Sequence, residues 1–134
     1  MMRTVILAVV LAFFARPADA CRCAGASIGD DFATSAVVVV AKVVRVDTYG
    51  KKDAIIVLAV ESVWKGDAKR NLRVFTRPAA SACGRPSMKG RWIVFAQRQV
   101  KDHLVTHLCD SSQAATPEAL EEMTKQFGKP TPIK

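Results

Sequence analysis

After residue 20 the sequence has no apolar run approaching the ~18 residues that a membrane-spanning helix requires, which excludes a polytopic membrane protein. The nucleophile elbow G-x-S-x-G, the phosphate-cradling P-loop and the H-E-x-x-H zinc helix are also missing. Their absence removes the commoner hydrolase and nucleotide-binding signals. Aromatic residues make up 7% of the chain, too few for the stacking platforms interleaved with cations on which single strands of nucleic acid are held. Trp64, Phe75, Trp92 and Phe95 lie within apolar runs and read as core packing. At 134 residues there is room for one domain and no second core, and there is no internal repeat.

Apolar residues are concentrated first at the N-terminus. Arg3 precedes an apolar stretch from Thr4 to Phe14, followed by Arg16, Pro17 and the small-residue site Ala18-Asp19-Ala20 directly before Cys21. This is the pattern of a cleaved signal peptide over residues 1–20, and it is too short for an anchor. Lipoprotein processing would also leave Cys21 first, but Ala18 stands where that signal has a large aliphatic residue, and charged Asp19 follows it. The expected product is a single domain, residues 21–134, secreted or delivered to a periplasmic or extracellular space that is oxidising. Lipid anchoring is the lesser alternative, and no transmembrane segment remains after cleavage.

The four cysteines, Cys21, Cys23, Cys83 and Cys109, are an even set in a small exported chain. Cys21 with Cys23 would close a ring of poor geometry, which leaves two ways of tying the Cys-Arg-Cys segment to Cys83 and Cys109. In either case the closed loops run to roughly 60–90 residues, each contributing about 4 kcal/mol in the chain-entropy treatment. A four-thiolate zinc site is the competing reading. Its spacing lacks paired C-x2-C knuckles, and export disfavours free thiols.

Five strands are expected. Ala36–Val46 contains four consecutive valines and reads as a buried strand, as does Ala54–Trp64. Asn71–Thr76 alternates with period two, with Leu72, Val74 and Thr76 facing one way. Arg91–Arg98 and His103–Cys109 complete the set, and the segment from Pro78 to Gly90 is a loop. Residues 27–31 read as a polar opening in which adjacent Asp30 and Asp31 serve a solvated loop or a helix cap. A helix follows Thr116, with Pro117 in its first turn, Leu120, Met123 and Phe127 as its apolar stripe, and Gly128 as its stop. Lys129–Lys134 reads as a frayed tail. The fold class is therefore mainly β: an OB-like five-stranded Greek-key barrel with a C-terminal helix and two disulfides. An immunoglobulin-like sandwich would need about seven strands.

No side chains assemble into a catalytic constellation, so the protein is read as a non-enzyme without a resident metal or cofactor. His103 and His107 are four apart, a ligand spacing on a helix; on a strand they would stand about 13 Å apart, so surface or cross-strand positions are expected. The formal charge is +8, with 20 basic residues against 12 acidic, spread along the chain rather than clustered. It suits an anionic surface or acidic polysaccharide, while export argues against nucleic acid. The chemically distinctive feature is the new N-terminus. Cleavage before Cys21 frees an α-amine that, with the carbonyl oxygen of the same residue, can chelate a divalent metal in a five-membered ring. The metal would be a partner's catalytic zinc, which keeps an open coordination position.

At these residues the sequence resembles the tissue inhibitors of metalloproteinases and the netrin-like module that they share. The resemblance is carried by Cys21-Arg22-Cys23, the run from Phe32 to Val43, Val63-Trp64-Lys65-Gly66-Asp67, Ala82-Cys83-Gly84, Trp92–Ala96 and Leu108-Cys109. It covers residues 21 to about 112. It implies the OB-like barrel, the pairing Cys21–Cys83 with Cys23–Cys109, and a wedge in which Cys21 chelates protease zinc. The residues that follow, Arg22, Cys23 and Ala24, would form the specificity ridge. Arg22 stands where the family has a small hydroxyl residue, Ala24-Gly25 lacks the usual proline, and the domain's third disulfide is missing. The implied function is that of a secreted metalloproteinase-inhibitor-like protein whose partner is a zinc metalloproteinase. The alternative is a non-inhibitory netrin-like interaction module of the cell envelope that binds a protein or polyanion. The intact mass of the exported protein, taken without reduction, should begin at Cys21, carry no lipid, and fall two hydrogens short of the reduced value for each disulfide.

Overall fold

The computed structural model describes residues 21, 23, 25–50, 53–79, 83–99 and 102–134. The expected leader and the ridge residues Arg22 and Ala24 lie outside them. The elements in chain order are helix α1 (Ile28–Thr34), strands β1 (Val37–Tyr49), β2 (Asp53–Lys65), β3 (Asn71–Thr76), β4 (Arg91–Arg98), β5 (Leu104–Val105) and β6 (Gln113–Ala114), helix α2 (Pro117–Phe127) and strand β7 (Thr131–Pro132).

The strands close into a five-stranded barrel in the order β1-β2-β3-β5-β4 and back to β1. β3 and β5 run parallel, and the other barrel pairs are antiparallel. β1 holds both ends of the closure. Residues 37–42 pair with β4, while Val38 to Tyr49 run along β2 with register shifts at Val38/Val39, Val40/Ala41 and Val43/Arg45. Such bulges bend a strand and increase its twist, which lets one strand serve two neighbours.

The unbroken valine run has a direct cause: the strand is buried on both faces. Val37, Val39 and Ala41 point into the barrel with Ile56, Leu58, Val60, Leu72, Val74, Val94 and Ala96. Val38 points outward with Ile93 and Phe95, and there α1 and α2 cover it with Ile28, Phe32, Leu120, Met123 and Phe127. The Phe32 and Phe127 rings stack at 3.9 Å. Helix α2 has Thr116 as N-cap, its side chain accepting the Ala119 amide at 3.1 Å, and Gly128 as C-cap.

Three expectations need correction. Residues 28–34 form α1 rather than a polar opening. Ser27 and Asp30 make a capping box, and Ile28 and Phe32, one turn apart, pack on the barrel. A helix of seven residues is too short to stand alone and exists through that packing. The fifth strand is two residues long instead of seven, because most backbone groups of 107–110 bond to the side chains of Arg85, Asp110 and His107 or within the turn rather than to a ladder. The tail is docked as well. β7 pairs with Ser62 and Val63, the Ile133 amide donates to Glu61 O at 3.0 Å, and the Trp64 indole N–H donates to Gly128 O at 2.8 Å.

Two glycines separate backbone freedom from close approach. Gly50 (φ +62°) has nothing within 4 Å of the place a Cβ would take, whereas at Gly66 (φ +86°) a Cβ would stand 2.2 Å from Ala36 O. Gly50→Ala should therefore cost only the left-handed penalty of about 1–2 kcal/mol. Gly66→Ala should lower the urea midpoint markedly further, because the β2 end must move off β1.

Candidate functional site

The site begins with two loops at one end of the barrel. Cys83, in the β3–β4 loop, has φ +65°, and its carbonyl accepts the Leu108 amide at 2.8 Å. Cys83 and Cys109 thus sit on hydrogen-bonded neighbouring segments. Gly84 follows because a Cβ there would be 2.0 Å from Arg77 O. The N-terminal segment lies across both loops through Cys21–Cys83 and Cys23–Cys109, with Cα separations of 5.3 and 5.0 Å. The two bonds touch: Cys21 Sγ is 3.4 Å from Cys109 Sγ. The sulfurs of Cys21, Cys23 and Cys109 all lie within 4.8 Å of one another. Each is consumed in a disulfide, which resolves the choice between disulfides and thiolate zinc in favour of disulfides.

A buried ion pair holds the two loops together. The Arg85 side chain is 11% exposed and that of Asp110 is 2% exposed, at 3.5 Å. Arg85 donates through Nε to His107 O at 2.9 Å and through Nη2 to Leu108 O at 3.2 Å and Asp110 O at 2.9 Å. Its guanidinium also lies 5.6 Å from the Trp92 ring centroid. Asp110 accepts from Thr106 Oγ1, from the His107 amide at 2.9 Å and from the Ser112 amide at 2.9 Å. Both carboxylate oxygens of Asp110 and two of the three guanidinium nitrogens of Arg85 are met, the kind of pairing that lets a buried ion pair be tolerated. Ser112 Oγ accepts the Phe95 amide at 2.9 Å, fastening the turn to β4, and Ser111 Oγ donates to Asp31 Oδ2, fastening it to α1.

Asp31 is thus buried and structural, while Asp30 caps its helix; they do not act as a pair. His103 is stacked on Phe75 at 4.3 Å, and His107 accepts the Cys109 amide through Nδ1 at 3.2 Å. A cleft of about 380 Å³ beside the disulfides is lined by Cys21, Ala26, Asp31, Cys83, Gln97, His107 and Cys109. Of the expected ridge residues, Cys21 is half-buried and Cys23 exposed. Neither Arg85 nor Asp110 was singled out from the sequence. The only signal was their position, an arginine two residues after Cys83 and an aspartate directly after Cys109.

The sequence segments that carry the family resemblance also meet in space. Lys65 Nζ donates to Phe32 O at 2.7 Å and Ala33 O at 2.8 Å, closing the last turn of α1, and Gly66 passes beneath Ala36. Of the other cations, Arg45, Arg91, Arg98 and Lys125 pair locally with Asp47, Glu61, Asp102 and Glu121. Among the described residues no helix is long and apolar enough to cross a membrane. In comparisons with known proteins, no family model matches the chain and no curated protein is significantly similar to it.

Replacing Asp110 by alanine leaves Arg85 buried without its counter-ion. It should destabilise the domain by about 3–5 kcal/mol, read from urea unfolding with both disulfides intact.

Proposed function

We propose that the protein is a secreted metalloproteinase-inhibitor-like module that acts without catalysis. The α-amine and carbonyl of Cys21 would chelate the catalytic zinc of the partner protease, with Arg22, Cys23 and Ala24 as the ridge beside it. The observation that carries this reading is the double strap. Two touching disulfides hold the segment that begins at Cys21 across two hydrogen-bonded loops, themselves fixed by Arg85 and Asp110. A chelating pair held in this way loses little freedom on binding, so less of the interaction energy is spent on ordering it. The disulfides are also in keeping with an oxidising, exported setting. A long cation at Arg22 suits a protease pocket with acidic or carbonyl lining better than an apolar one.

The interaction-module alternative would draw on the charge of +7 that remains once residues 1–20 are removed, with 18 basic residues against 11 acidic. Its cations are dispersed, and several are engaged with neighbouring carboxylates, which favours the ridge. The decisive experiment adds one alanine before Cys21. Inhibition of zinc metalloproteinases by the mature protein should be lost in the extended form, with an unchanged unfolding midpoint. Undiminished inhibition by the extended form would remove the chelation mechanism. Binding that instead weakens steeply with salt, with no inhibition, would establish the polyanion reading.

A further inference from the structure

The two disulfides lie side by side, and the contact between them joins two sulfurs that are not bonded to each other. On sequence grounds two pairings of the Cys21–Cys23 segment with Cys83 and Cys109 were open. The structure contains one of them, yet holds Cys21 Sγ 3.4 Å from Cys109 Sγ, the bond that defines the other. The two recipient segments are already side by side, joined by the hydrogen bond from the Leu108 amide to Cys83 O. Cys21, Cys83 and Cys109 line one open cleft, and Cys23 is the exposed member of the group.

We propose that this end of the barrel is a thiol–disulfide exchange site, which converts the protein between two disulfide isomers when an external thiol is present. The co-reactant is a small thiol such as glutathione or the dithiol of an oxidoreductase. Its thiolate attacks the exposed Cys23 sulfur; a bond forms to Cys23, and the Cys23–Cys109 bond breaks, with the electron pair leaving on Cys109. The Cys109 thiolate then attacks Cys21 Sγ across the existing contact, forming Cys21–Cys109 and releasing Cys83 as a thiolate. Cys83 attacks the mixed disulfide at Cys23, forming Cys23–Cys83 and returning the thiolate that began the sequence. No net oxidation or reduction occurs, and the thiol is regenerated. With a dithiol, the mixed disulfide can instead be resolved by its second sulfur. The reagent is then oxidised to its own disulfide, and the protein is left with Cys21–Cys109 and two thiols. Either course re-anchors Cys21 from the β3–β4 loop to the segment after β5, so the first residue of the ridge depends on the thiol environment. The inference does not rest on the inhibitor reading.

The sequence supplies a convenient assay, because trypsin cleaves after Arg22 and places Cys21 and Cys23 on separate fragments. Native protein is incubated with substoichiometric glutathione at mildly alkaline pH, quenched by alkylation in acid-stopped aliquots, digested without reduction and mapped by mass. Fragments linking Cys21 to Cys109 should appear and grow to a plateau. In parallel, Cys23→Ser leaves Cys109 as a free thiol without any added reagent, and should show Cys21 divided between Cys83 and Cys109. Accumulation of the Cys23–glutathione adduct with Cys21 still joined only to Cys83 would overturn the proposal. So would a Cys23→Ser protein in which Cys109 is wholly alkylated and Cys21–Cys83 is the sole linkage.

Discussion

The buried contact between Arg85 and Asp110 is what the disulfide-bearing end of this molecule depends on. A charge placed in a low-dielectric interior is costly unless it is paired and hydrogen-bonded, and here each member of the pair has several partners. Arg85 gathers three carbonyls of the 107–110 segment, and Asp110 gathers the amides and hydroxyl that would otherwise be unpaired. The same bonds that end β5 after two residues also give the turn its shape, and the turn presents Cys109 beside Cys83. The disulfides then act on a surface already ordered. They strap the N-terminal segment onto loops fixed by polar contacts, and the barrel below supplies the rigid base.

The base is made by one strand. Over Val37–Ala41 β1 is buried on both faces; it lines the barrel with Val37, Val39 and Ala41, offers Val38 to the helices, and bends through its bulges to close the sheet. The helical layer is likewise a shared product. Phe32 of α1 stacks on Phe127 of α2, Lys65 closes the end of α1, and Trp64 holds the end of α2. Because α1 begins only a few residues after Cys23 and is tied through Asp31 to Ser111, the helix layer and the disulfide end form one mechanical unit.

Much of the scaffold was legible in the chain. β3 and β4 fall where the period-two alternation of 71–76 and the apolar run within 91–98 placed them, and α2 lies between Thr116 and Gly128 because its cap, its proline and its glycine are local signals. α1 was not legible, since only two apolar residues at one-turn spacing face the barrel, too few for a periodic signal. The short β5 was misread because His103–Cys109 looks like a strand until Arg85, more than 20 residues before His107 and Leu108, claims their carbonyls. The docked tail was missed for the same reason: its partners Glu61, Ser62 and Val63 are remote in sequence. At the candidate site, the cysteines stood out by type, and Cys21 and Cys23 also by their place beside the expected cleavage point, while the ion pair beneath them did not.

By itself the sequence determined the class of fold, the strand segments with strong β-branched runs, the C-terminal helix, and the fact that Cys21 and Cys23 must reach Cys83 and Cys109. These follow from local propensity, capping chemistry and the geometry of neighbouring cysteines, all readable over short spans. The tertiary structure decided which cysteine takes which partner, that the two bonds touch, and that a buried arginine and aspartate order the loops beneath them. Those outcomes depend on which distant segments the barrel closure brings side by side, and that adjacency is a property of the whole sheet.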